Sequence, residues 1–196
     1  MSLIARLTEK SWEPESDRDD LSERPSAGAV GLSVYAGVAC VMFSLLVAAY
    51  MMRMGLHSAM GHASDDWVPM PDPPLLWINS AVLAGSSIAW EIARRAGRDK
   101  AVQASIAGAA LGLCFLIGQW LLWRHYQADG YYLSNNPANA FFYLLTALHA
   151  LHIIGGLVAA GWALAARNLS HIRLCALYWH FLLLIWVLLA GLLVST

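Results

Sequence analysis

The sequence predicts an all-α membrane protein, a bundle of five transmembrane helices with its N-terminus cytoplasmic and its C-terminus periplasmic. Three observations predict it. Of 196 residues, 59% are hydrophobic and only 13% are charged, which is far more apolar than a soluble domain of this length. The apolar residues lie in five unbroken stretches, about 30–52, 74–93, 101–122, 138–166 and 174–195, and roughly 20 such residues cross a bilayer as a helix. Barrel strands would be short and alternating, so continuous runs point to helices. Finally, ten of the 12 Lys and Arg fall on one side of that arrangement. They are Arg6, Lys10, Arg18 and Arg24 before the first span, Arg94, Arg95, Arg98 and Lys100 after the second, and Arg167 and Arg173 after the fourth, leaving Arg53 and Arg124 for the other side. Cytoplasmic loops collect such residues, and an odd number of spans needs its ends on opposite faces.

Residues 1–29 mix both charge signs with Pro and Ser and hold no apolar core of a signal peptide. They read as a flexible cytoplasmic tail ahead of a transmembrane domain at 30–196. The first span is rich in Gly, Ala, Ser and Cys, small residues that permit close helix packing. The outer loop after it carries His57 and His62 beside Asp65 and Asp66, read as a wetted polar loop, then Trp67 at the interface and prolines at 71, 73 and 74 that stiffen the approach to the second span. That span has a polar stripe of Asn79, Ser86 and Ser87 suited to bonds across to another helix, and Glu91 within reach of Arg94 and Arg95 as a local ion pair. The short AGRDK turn makes the second and third spans antiparallel neighbours.

The third span ends in IGQWLLWRHY, where Trp120 and Trp123 are expected in the aromatic belt and Gln119 needs a partner. NNP at 135–137 turns or caps into the fourth span. This span is long and contains the pair Gly155–Gly156, a place for close approach or a kink. The fifth brings His180 between Trp179 and Phe181.

His149 and His152 share one face of the fourth helix, and with His180 they could gather round one ion. The competing reading, neutral imidazoles that bond to carbonyls or hydroxyls and clamp helices, is favoured because no carboxylate is expected beside them. For the same reason no hydrolase constellation is expected. Proton and ion carriers place charged residues at membrane depth, and these spans hold almost none. No CxxC pairs the isolated Cys40, Cys114 and Cys175, no phosphate-cradling glycine motif occurs, and a net charge of -1 offers nucleic acid nothing. A hydrophobic subunit built to pack against something remains.

FFYLLTALHALHIIGG, the terminal YWHFLLLIW and GQWLLW, together with FSLLVAAY and LLWINSAVLAGSS earlier in the same order, resemble subunit III of the haem-copper respiratory oxidases, in the short form with five helices. The resemblance covers nearly everything after residue 30. It implies a non-catalytic subunit of an oxygen-reducing oxidase in a bacterial inner membrane, using cytochrome c or quinol as donor. It further implies packing on subunit I, with subunit II in the same complex, retained phospholipid, and support of assembly, stability and sustained proton uptake. Haem and copper are expected in the partner subunits and no cofactor in this chain. By position, Gln119, Trp123, Thr146, His149, His152, Gly155, Trp179, His180 and Phe181 match the family's signature, with packing rather than catalytic roles. Three membrane acids of the family pattern are absent: Ala39, Leu122 and Leu183 stand in their places. This weakens any proton relay through the chain itself. An accessory subunit of nitric oxide reductase, an independent small transporter and a small histidine metalloenzyme are the alternatives.

Overall fold

The structure is a computed structural model that describes residues 26–59, 71, 73–166 and 168–195, with backbone alone for 56–59. The His57 backbone belongs to the first helix, whereas its side chain, the loop residues His62, Asp65, Asp66 and Trp67, and nearly all of the expected tail lie outside what is described. Among the described residues the fold has five helices: α1 (Ala27–Ala59), α2 (Pro74–Arg95), α3 (Arg98–Ala128), α4 (Pro137–Ala166) and α5 (Leu169–Ser195). All five are long and apolar enough to span a membrane.

The helices overrun the apolar stretches wherever no breaker stops them. α3 begins among Arg98, Asp99 and Lys100 and runs to Ala128. At 1.5 Å per residue its 31 residues extend roughly 46 Å, well beyond a hydrocarbon core of about 30 Å. Local chemistry sets the ends. Pro74 opens α2, where its missing N–H costs nothing. Asn136 accepts from the Ala138 N–H at 2.9 Å ahead of α4, as NNP suggested, and Asn168 does the same for Ser170 at the start of α5. Gly130 closes α3 with φ of 87°, a left-handed conformation natural only to glycine.

α2 to α5 form a ring in which each helix packs on the next and α2 closes on α5. The α2–α3 pair is the most extensive, while the backbone of α1 approaches only α4 and α5. The core is aromatic. Trp90, Trp179 and Trp186 are fully enclosed, with Phe115, Leu83 and Leu122 beside them. Lipid supplies no hydrophobic force between helices, so tight packing must hold them together. Glycines make room for the indoles: a Cβ on Gly108 would lie 2.7 Å from Trp90, and one on Gly112 or Gly156 would lie 2.9 or 3.0 Å from Trp179.

Candidate functional site

Many polar side chains of the bundle collect in two clusters, one toward its basic end and one toward the opposite end. Ser87 and Glu91 are four residues apart and therefore share a face of α2. His180 of α5 fits between them, with Nδ1 2.6 Å from Ser87 Oγ and Nε2 3.0 Å from Glu91 Oε2. A carboxylate only accepts, so Nε2 carries a proton, and in the neutral ring Nδ1 accepts from the Ser87 hydroxyl. The expected local ion pair also forms. Arg94 donates to both Glu91 oxygens at 2.7 Å, and Arg95 adds a third bond from its Nε.

The expectation that no carboxylate accompanies the membrane histidines is overturned here. Glu91 and His180 are separated by 89 residues of sequence, so only the tertiary fold joins them. The order serine, histidine, carboxylate matches that of a hydrolase triad, but the surroundings do not. Ser87 is buried mid-helix, where its neighbours' N–H groups are spent on the helix and none can hold an oxyanion. Glu91 already accepts four hydrogen bonds. The cluster is a clamp between α2 and α5.

The second cluster spans α2, α3, α4 and α5. Asn79 donates to Gln119 Oε1 at 3.3 Å, which gives Gln119 the partner it needed. Trp123 donates to Thr146 Oγ1 at 3.1 Å, so its indole turns inward from the expected belt. Trp120 does face outward, with Arg124 over its ring at 5.6 Å. His149 is wholly enclosed, with the ring centre of Trp186 5.1 Å away and that of Phe115, nearly perpendicular to it, at 5.9 Å. Trp186 in turn donates to Ser80 Oγ at 2.9 Å.

His152 faces α1 instead. Its Nδ1 bonds the Leu148 carbonyl at 2.7 Å, and Tyr178 donates to the His152 carbonyl at 2.9 Å, joining α4 to α5. Its ring meets Phe43 at 5.3 Å and Tyr35 at 6.0 Å. Ala39 lies one turn from each of those residues and is itself buried, so it shares the face of α1 that meets His152. Cys40 beside it is exposed. Ala39→Glu is expected to assemble by pairing its carboxyl with His152, and to lose that tolerance once His152→Leu is added. Yields of folded chain for the two variants check this; equal yields would show that the side chains do not meet.

Of the remaining signature residues, Trp179 is fully buried and donates to Ser86 Oγ at 2.6 Å, while Ser86 donates to the Gly108 carbonyl at 2.7 Å. Phe181 is half-buried beside Tyr178, and Gly155 lines a groove between α1 and the α4–α5 pair. Leu122 is core, and Leu183 lines a groove with His180 and Glu91. The three histidines thus go to three different places, and among the described residues no three of His, Cys, Asp or Glu converge on a metal position. Sequence reasoning missed Glu91 as a partner of His180, Tyr178 as the α4–α5 bond, and Gly108, Gly112 and Gly118 as sockets. The i, i+4 pair of Ser87 and Glu91 was the available signal for the first.

The sequence model of a family, cytochrome c oxidase subunit III, matches residues 17–194. The chain is 30% identical over 191 residues to the cytochrome c oxidase subunit 3 of Thermostichus vulcanus, covering 89% of this chain and 90% of that one. It is 26% identical over 185 residues to the cytochrome bo(3) ubiquinol oxidase subunit 3 of Pseudomonas aeruginosa, covering 87% and 86%. With the probable cytochrome c oxidase subunit 3 of Mycobacterium tuberculosis it shares 27% over 183 residues, covering 84% and 85%.

Proposed function

The chain belongs to the cytochrome c oxidase subunit III family, and on that premise we propose that it is the non-catalytic third subunit of a bacterial haem-copper terminal oxidase. As a multi-pass membrane protein of this family it associates with other oxidase subunits. In our reading it packs on subunit I, with subunit II in the same complex, in the inner membrane, its basic end cytoplasmic. Haem and copper reside in the partners. The chain contributes retained phospholipid, assembly, stability and sustained proton uptake during oxygen reduction.

One observation carries the non-catalytic part of this reading. Asn79, Ser86, Ser87, Trp123, Trp179, His180 and Trp186 are engaged in bonds between helices of the same chain, while the outside carries apolar residues such as Val38, Leu45, Ile88, Leu151 and Val158. Such a surface suits contact with lipid or with other transmembrane helices. A groove of about 830 Å³ between α1 and α4, lined by Val34, Val38, Val41, Leu45 and Leu148 among others, supports the retained lipid.

Deleting the chain from its native host provides the test. The remaining oxidase is expected to reduce oxygen at first, then to inactivate sooner and take up protons more slowly in reconstituted vesicles. Unchanged assembly, turnover lifetime and proton uptake would contradict the proposal.

A further inference from the structure

The two polar clusters differ in how completely their atoms are matched. Around His180, both ring nitrogens, both Glu91 oxygens and the Ser87 hydroxyl have partners. Around Gln119 and His149 they do not. Gln119 Nε2 and both ring nitrogens of His149 are sealed from the surface, and no protein atom is bonded to any of them. A buried polar atom without a hydrogen bond is costly.

These orphaned atoms lie at one level of the bundle. α3 and α4 run antiparallel. One turn beyond Gln119, Trp123 bonds Thr146; one turn before it, Phe115 touches the His149 ring. Residues four apart share a helix face, so Gln119 sits between these two contacts, opposite His149. Gln119 also lines the α3–α4 groove of about 290 Å³ with Trp120, Ala147 and Ala150.

We propose that Gln119 and His149 form an internal water site that bridges α3 to α4. The chemistry selects the ligand. An amide N–H facing a neutral imidazole requires a molecule that both accepts and donates. A cation would meet the amide protons, an anion would be buried without a counter-charge, and an acyl chain can do neither job. Trp186 lies at a shallow tilt to the ring and Phe115 stands nearly perpendicular to it, and a ligand must reach the nitrogens in the ring plane. Water accepts from Gln119 Nε2 and donates to the bare ring nitrogen, or accepts from the ring N–H in the other tautomer. Buried waters typically make two to four such bonds. The site assigns Gln119 and His149 a shared structural role that neither fills through protein contacts alone.

The test is a density map of the chain, purified with whatever subunits it retains, at a resolution that shows ordered water. It does not depend on the oxidase assignment, because the site lies within this chain. The expected result is a water within hydrogen-bonding distance of Gln119 Nε2 and one His149 nitrogen, lost in Gln119→Leu. A map without it overturns the proposal, whatever the ring bonds instead. Melting midpoints of Gln119→Leu, His149→Phe and the double variant give a second reading. If one water serves both side chains, the double variant melts no lower than the worse single one. Additive lowering would contradict a shared bridge.

Discussion

Trp179→Ala is expected to be the most damaging single substitution in the chain, lowering its stability by about 3 kcal/mol, the range of a large buried aromatic truncated to alanine. Its indole fills the space between α2, α3, α4 and α5. It lies 5.0 Å from Trp90 between ring centres, rests in the sockets of Gly112 and Gly156, and donates to Ser86. In a bilayer the unfolded helices still face an apolar solvent, so the loss is mainly one of packing, with an orphaned Ser86 acceptor added. The check is unfolding in mixed micelles. Trp162→Ala, at an exposed residue, should change stability by roughly 0.5 kcal/mol or less. Equal effects at the two positions would mean that Trp179 is not the hub of the core.

The next largest effect is expected of Gly118→Ala. A Cβ at this position would overlap Asn79 Oδ1 and lie 3.0 Å from its Cγ, so α2 must move off α3 or Asn79 must swing away from Gln119. Overpacking of this kind costs about 2 kcal/mol before the lost buried hydrogen bond is counted. Gly161→Ala is the control: nothing lies within 4 Å of its Cβ, and alanine suits a helix better than glycine. If both alanines are neutral, the tight α2–α3 register is not what holds Asn79 against Gln119.

The spans were legible in the sequence because the bilayer demands long apolar runs and permits few alternatives. Their ends were less so. Apolar runs mark where hydrocarbon lies, whereas Arg98 and Ala128 continue α3 because nothing in RDK or RHYQA breaks a helix. The start signals, Pro74 in the first turn of α2 and Asn136 ahead of α4, act over one turn and were readable. Gln119 was visible as a residue in need of a partner, and Asn79 as part of a stripe facing another helix. That these two meet depends on the α2–α3 register, which Gly118 makes possible. Trp123 was assigned to the belt by depth alone; depth does not reveal whether a side chain faces lipid or, as here, Thr146. The union of Glu91 with His180 is a property of the closed ring of helices, and no local pattern contains it.

A subunit with no redox centre of its own should leave the membrane together with the subunits that hold such centres. The most direct measurement is mass spectrometry of the complex drawn from native membrane in mild detergent through a tag on the N-terminal segment. Stoichiometric recovery of oxidase subunits I and II, with all haem and copper accounted for by them, is the predicted result, and it would also identify the electron donor. Recovery with nitric oxide reductase subunits, or of the chain alone in several mild detergents, would contradict it.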